Sequence, residues 1–174
     1  MQRLNLKFPL MFVLLIVLQV LVFNNVYLGG YLNPQVYVFF ILVLPVFITG
    51  YVLLLVAFLI GLVVDIFSNS LAIHAFSCVL MAFCRPAIIR LFAGNLEAET
   101  TESPSFHIFG AFSLVMYSFV LILIHHVSLF LMEIFRFDEF VQTLKRAALS
   151  SGLTAVFVIL AFALVEGSST RKRY

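Results

Sequence analysis

The chain has 174 residues, of which 64% are hydrophobic and 10% are charged, and its formal net charge is +2. Soluble domains carry about 25% charged residues, so this composition excludes a soluble domain. Residues 8–64 contain no Asp, Glu, Lys or Arg. The sequence therefore predicts an all-α polytopic membrane protein, because helices satisfy their own backbone hydrogen bonds in lipid.

The apolar stretches predict six transmembrane helices in a single integral membrane domain, residues 1–174. The expected spans are residues 8–28, 36–48, 51–66, 71–92, 106–132 and 147–165. The first stretch is long enough to cross and no small-residue cleavage site follows it, so we interpret it as a span rather than a signal peptide. Gln19, near its middle, is expected to hydrogen-bond to a neighbouring helix.

The apolar run over residues 36–64 is interrupted by Pro45, Thr49 and Gly50. One straight helix of this length would extend roughly 43 Å, which is too long for a hydrocarbon core of about 30 Å. The interruption favours a hairpin of two short helices, and a re-entrant pair is the alternative.

Polar residues separate the third and fourth spans. Ser68, Asn69 and Ser70 are residue types that cap helix N-termini, so they are expected to start the fourth helix. Arg85 and Arg90 fall in its last turns, where a cation suits the helix C-terminus. We expect their long side chains to reach towards the lipid head groups.

The remaining polar residues of the spans do not form a metal or catalytic motif. His125 and His126 are adjacent, so their side chains point about 100° apart on a helix and cannot bind one metal from a single face. We expect both to face the bundle or the interface. Cys78 and Cys84 lie on different sides of one helix, which argues against a disulfide. The sequence predicts no catalytic residue, no metal and no cofactor.

Residues 133–146 combine an apolar face with a charged face. The apolar residues recur at helical spacing and are Ile134, Phe137, Phe140, Val141 and Leu144. This pattern predicts an amphipathic helix that lies in the membrane interface. Our hypothesis is that it contributes a partner surface, with the residues Arg136, Phe137, Phe140 and Val141.

The distribution of Lys and Arg predicts the orientation of the chain. With six spans, one side of the membrane carries seven of these residues and the other carries three, whereas five spans would give five on each side. Cytoplasmic segments are enriched in Lys and Arg, which favours six spans with both termini in the cytoplasm.

Asp65 closes the long uncharged run and shares one helix face with Ala57 and Gly61. Small residues on such a face let another helix approach closely, so the carboxylate is expected to point into the protein. Asp65 and His74 flank one tight turn and are able to meet. We favour a structural contact between them, with a proton-relay or substrate role as the alternative.

The pattern Gly61-Leu-x-x-Asp65, followed by Leu-x-Ile-His74-Ala, resembles the family of the rod shape-determining protein MreD. The chain length and the pattern of spans are also similar to that family. Further residues that agree with it, the last pair being typical of Bacteroidetes-like members, are Gln19, Asn33-Pro34 and Arg85-Pro86.

The resemblance implies a non-enzymatic subunit of the bacterial rod (elongation) complex in the inner membrane, which supports cell-shape maintenance and lateral peptidoglycan synthesis. It implies binding to a bitopic MreC-like protein and, through it, links to MreB, RodA and a class B penicillin-binding transpeptidase. It also implies a six-helix fold similar to the substrate-binding subunits of energy-coupling-factor transporters. The residues expected to serve helix packing and partner docking are Ala57, Gly61, Asp65, His74 and Arg85.

The alternative is a substrate-binding subunit of a vitamin-type transporter. That function needs a polar cavity near the outer face. The residues that the sequence offers there are Asn24, Asn25, Asn69, His125 and His126. Against it, residues 8–28 contain no alanine, although many such subunits dock their coupling partner through an alanine motif on the first helix. An intramembrane hydrolase has the least support.

Overall fold

The computed structural model of the chain describes residues 7–25, 32–94, 103–134 and 140–170. Of these residues 84% are helical, and none forms a strand. The helices are α1 (Lys7–Leu18), which continues as a π-helical turn over Gln19–Phe23, α2 (Val38–Val43), α3 (Gly50–Ser68), α4 (Ile73–Ala93), α5 (Phe106–Phe109), α6 (Ala111–Ile134) and α7 (Phe140–Thr170). The described part of the chain is thus an all-helical protein, as its composition predicts.

Four helices, α3, α4, α6 and α7, are long and apolar enough to cross a membrane, and Lys7–Phe23 form a shorter apolar helix. The main packing joins α3 to α4, α4 to α6, and α6 to α7. Large apolar side chains on the outer helix faces are exposed, for example Leu10 (72%), Phe83 (71%) and Leu164 (75%). Such an apolar exterior suits a protein surrounded by lipid.

Two ends of the bundle are defined by contacts between helix termini. At one end, here called the polar end, Asn24 Nδ2 donates to Ser68 Oγ over 3.2 Å. The helix that begins with α1 and helix α3 therefore both end at this end of the bundle. At the opposite end, the backbone N–H of Phe106 donates to Glu166 Oε1 over 2.5 Å, which joins the start of α5 to the last turns of α7.

Residues 32–43 run back through the interior of the bundle. Gln19 Oε1 accepts from the N–H of Val36 over 2.8 Å. Further from the polar end, the rings of Phe12 and Phe40 pack edge to face with centroids 5.5 Å apart. This stretch is therefore antiparallel to α1.

The second predicted span, residues 36–48, differs from the structure. Its only helix is α2, whose six residues extend about 9 Å, and residues 44–49 after it are non-helical. We call residues 32–49 the broken segment. Every residue of α2 is buried, and irregular backbone is tolerated at membrane depth only when protein surrounds it.

The end of the chain also departs from prediction. Within the described residues, the expected amphipathic helix over 133–146 is not a separate element, because α6 ends at Ile134 and residues 140–146 are the first turns of α7. The last predicted span therefore starts earlier than residue 147. Phe140 and Val141 are exposed, whereas Arg136 and Phe137 lie outside the described residues.

Candidate functional site

The carboxylate of Asp65 caps the start of α4 from the preceding helix. Its Oδ2 accepts from the N–H of Ala75 over 2.9 Å, and its Oδ1 accepts from the N–H of His74 over 3.1 Å. The hydroxyl of Ser70 donates to the same Oδ1 over 2.5 Å. The first N–H groups of a helix have no partner within it, and a negative charge is favourable there. Asp65 thus supplies hydrogen-bond acceptors and a negative charge to the N-terminus of α4.

This geometry corrects the expected capping by residues 68–70. The residue before α4 is Ala72, which has a φ of +59° and whose side chain forms no cap. Asn69 ends α3 in the left-handed region, with a φ of +54°. The polar turn is present as predicted, but the cap comes from Asp65 and not from residues 68–70.

Gly61 allows α4 to lie directly against α3. A Cβ atom at this position would be 2.5 Å from the Cα of Ala75 and 2.7 Å from its backbone nitrogen. Such a distance to backbone atoms would force the two helices apart. Ala57, one turn earlier on the same face, is completely buried. The predicted close approach on this face is present.

His74 completes the junction between α3 and α4. Its Nδ1 lies 3.0 Å from Asp65 Oδ1 and 3.0 Å from Ser70 Oγ, so the predicted contact between the two ionisable residues is present. Its ring also packs against Tyr37, with centroids 6.2 Å apart. Both oxygens of the carboxylate are thus engaged by the turn and by α4. This arrangement favours a structural contact over a proton relay.

Arg85 does not reach the lipid head groups, which corrects that prediction. Its side chain is 1% exposed and lies against the end of α2. It donates to the carbonyl of Leu44 and, over 3.2 Å, to that of Pro45. Its Nε donates to the hydroxyl of Tyr117 over 2.8 Å. The last carbonyls of a helix have no partner within it and attract a cation, so Arg85 caps α2 from α4.

Gln19 stabilises the other side of the broken segment. Its Oε1 accepts from Val36, and its Nε2 donates to the carbonyl of Pro34 over 3.2 Å. The side chain is fully buried. Gln19 was expected to bond to a neighbouring helix. It bonds instead to the irregular backbone of the broken segment. It replaces hydrogen bonds that a regular helix would form for itself.

Helix α7 supplies two further partners to the broken segment. Thr154 Oγ1 accepts from the N–H of Gln35 over 3.1 Å, and Ser150 Oγ accepts from the N–H of Asn33 over 3.2 Å. Polar side chains from the first helix, α4 and α7 therefore form hydrogen bonds to the non-helical backbone on either side of α2. This explains how a segment with only six helical residues is accommodated inside the bundle.

The adjacent histidines are both completely buried in the bundle. His125 Nε2 lies 2.9 Å from the hydroxyl of Tyr37, and His126 Nδ1 lies 2.9 Å from the carbonyl of Ile122. They thus occupy the bundle-facing position that was one of the two expected. Within the described residues, no group of three or more His, Cys, Asp or Glu side chains is placed to hold a metal ion.

A cavity of about 500 Å³ lies at the polar end. The polar residues that line it include Asn24, Asn33, Gln35, His74, Glu133 and Arg146. Of the residues that the sequence offered for a ligand site, Asn24 lines this cavity, whereas Asn25, Asn69 and the two adjacent histidines do not. Asn33, Gln35 and the pair of Glu133 and Arg146 were not recognised as members of one site.

The Glu133–Arg146 pair joins the end of α6 to the start of α7 beside this cavity. Arg146 Nη1 lies 3.3 Å from Glu133 Oε2. The guanidinium also stacks on the ring of Phe130, 4.3 Å from its centroid. These two contacts fix the position of the guanidinium.

No family model, curated protein or solved structure matches the chain.

Proposed function

We propose that this chain is a non-enzymatic, MreD-like subunit of the rod (elongation) complex, which supports cell shape and lateral peptidoglycan synthesis by binding an MreC-like partner. The observation that carries the proposal is the junction of Gly61, Asp65 and His74, the residues of the family pattern. Gly61 brings α4 onto α3, and both oxygens of Asp65 bond to the turn and to α4. A motif used in this way supports a structural subunit rather than a catalyst.

The proposed topology has six crossings, of which the second is the broken segment. It is supported by the contact of Asn24 with Ser68, because α1 and α3 finish at the same end and the chain must return between them. In this topology the Lys and Arg distribution favours a position of both termini in the cytoplasm, with the chain in the inner membrane. Reporter fusions at Ser103 and Gln142 test it, and two fusions that report the same side would contradict it.

The proposed partner surface lies at the start of α7 on the outer side. Phe140 is 41% exposed and Val141 is 64% exposed, at the polar end where α7 begins beside Glu133. The proposed surface also includes Arg136 and Phe137, which lie outside the described residues. The MreC-like protein would bind here, and MreB, RodA and the class B transpeptidase would be linked through it.

Depletion of the chain in its own host tests the function. We expect depleted cells to lose their normal width, and we expect the unchanged chain to restore it. Val141→Asp should fail to restore width if the partner surface is at this end. Leu164→Asp is the matched control, because it is an equally apolar, 75% exposed residue of α7 roughly 35 Å further along the helix. Normal width in depleted cells would contradict the proposal.

A substrate-binding subunit of a transporter is the second candidate, and the cavity at the polar end favours it. Its volume of about 500 Å³ falls in the range of roughly 300–1,000 Å³ that is typical of small-molecule sites. This function requires a coupling membrane subunit and a pair of ATPases in the same complex, and the rod complex contains neither.

A further inference from the structure

Polar residues from several helices converge on the cavity at the polar end, and most of the residues that line it are polar or charged. They come from the first helix, the broken segment, α3, α4, α6 and α7, and include Asn24, Asn33, Ser68, His74, Glu133 and Arg146. Contact of such groups with hydrocarbon is strongly unfavourable, because hydrocarbon forms no hydrogen bonds. The wall therefore requires an occupant that donates and accepts hydrogen bonds.

The ion pair in this wall is only partly covered by protein. Arg146 Nη1 lies 3.3 Å from Glu133 Oε2, and the two side chains are 22% and 49% exposed. Ionisable residues of membrane helices face the interior of the bundle or a water-filled cavity. Since both residues line the cavity, their exposure indicates that water reaches them there.

The backbone of the wall leads to the same conclusion. Residues 32–37, at the start of the broken segment, are non-helical. Leu32, Asn33 and Gln35 of this stretch line the cavity. Non-helical backbone at membrane depth is found where protein buries it or where it lines a water-filled cavity. Asn33 is only half-buried, so the second condition is the one that applies to it.

The cavity is open at the protein surface and has a volume of about 500 Å³. A water molecule occupies about 30 Å³ of the liquid, so the space holds on the order of ten waters. A lipid acyl chain would suit the rings of Phe23 and Phe67 in the wall, but it would leave the polar residues without partners.

We infer that this cavity is an aqueous vestibule, a water-filled recess in the bundle that admits small hydrophilic solutes. It brings the aqueous phase to the junction of Asp65 and His74 and to the start of the broken segment. The inference does not rest on the proposed function, because it concerns solvent access to the isolated chain.

Spin labels in the full chain, reconstituted into lipid vesicles, test what fills the vestibule. Asn33→Cys and Ser68→Cys carry the label in the wall, and Val156→Cys carries it on an exposed apolar face of α7. The two native cysteines are replaced by alanine. We expect collisions with a water-soluble nickel chelate to be severalfold more frequent at the two wall positions than on α7. Oxygen as the dominant collision partner at the wall would mean a lipid-filled cavity and would overturn the inference, as would a wall that neither reagent reaches.

The histidines of the unchanged chain give a second test that needs no substitution. Diethyl pyrocarbonate acylates an unprotonated imidazole nitrogen that it can reach. His74 lines the cavity and its side chain is 13% exposed, whereas His125 and His126 are fully buried and His107 is exposed. Peptide mass spectrometry should show His74 reacting severalfold faster than the two buried histidines and more slowly than His107. Equal protection of His74 and the buried pair would overturn the inference.

Discussion

Arg85 of α4 and Tyr117 of α6 share a hydrogen bond of 2.8 Å in the centre of the bundle. Both side chains also donate to the end of α2. The Tyr117 hydroxyl donates to the carbonyl of Leu42 over 2.9 Å, and the guanidinium donates to the carbonyl of Leu44. A helix that stops inside a membrane protein leaves its last carbonyls without partners. The pair therefore provides hydrogen-bond donors to the carbonyls where α2 ends inside the bundle.

Arg85→Met is expected to destabilise the protein strongly. It removes the donors to Leu44 and Pro45, and the carbonyl of the buried residue Leu44 then loses its donor. We expect the free energy of unfolding to fall by about 3 kcal/mol, measured by denaturation with sodium dodecyl sulfate in mixed micelles. Arg90→Met is the control on the same helix, since Arg90 is exposed, and it should change the free energy by less than about 0.5 kcal/mol. Equal losses in the two variants would contradict the capping role.

Gly61→Ala is expected to separate α3 from α4. The new Cβ would meet the backbone of Ala75 at 2.5 Å, and backbone atoms cannot rotate away as a side chain can. We expect a lower unfolding midpoint, with a loss of about 1–3 kcal/mol as for an overpacked core. Gly152→Ala is the matched control, because nothing lies within 4 Å of its added Cβ, and it should be neutral or slightly stabilising. A neutral Gly61→Ala would exclude the close approach.

The sequence predicted those features that depend on local pattern. The shared face of Ala57, Gly61 and Asp65 follows from helical spacing, and so does the close approach of α4. The contact of Asp65 with His74 follows from the short turn between them. Where the apolar stretches predicted six spans, the described residues contain four helices that are long and apolar enough to cross a membrane, α3, α4, α6 and α7.

The features that the sequence did not predict depend on partners far away in the chain. Arg85 was expected at the lipid head groups because a cation near a helix end often extends there. Its actual acceptors are about 40 residues earlier. They lie at the end of α2, which was expected to extend over residues 36–48 and has only six residues. Gln19 likewise bonds to the backbone of the broken segment. Periodicity identifies the face of a helix but not the irregular backbone opposite it.

The Asp65–His74 pair is expected to act as a unit. Asp65→Asn and His74→Ala should each destabilise the protein, because the carboxylate holds both the ring and the N-terminus of α4. Their combined effect should differ from the sum by about 0.5–3 kcal/mol, as for residues in direct contact. Denaturation of the two single variants and the double variant measures this difference. Strict additivity would show that the pair does not interact.

Gln19→Leu tests the anchoring of the broken segment. It removes the partners of the Val36 N–H and the Pro34 carbonyl, so two buried backbone groups lose hydrogen bonds at once. We expect a loss above the average of about 0.6 kcal/mol for one hydrogen bond between membrane helices. Ser118→Ala removes a buried hydroxyl that has no partner within the described residues and should be close to neutral. Similar effects of the two variants would contradict the anchoring.

Affinity purification of the tagged chain from its own host in a mild detergent, followed by mass spectrometry, tests the proposed function most directly. We predict recovery of a bitopic coiled-coil periplasmic protein together with a class B transpeptidase and a polytopic glycosyltransferase. Val141→Asp should lose these partners, and the control Leu164→Asp should keep them. Recovery of two ATPases with a coupling membrane subunit would contradict the rod-complex proposal and identify the chain as a transporter subunit.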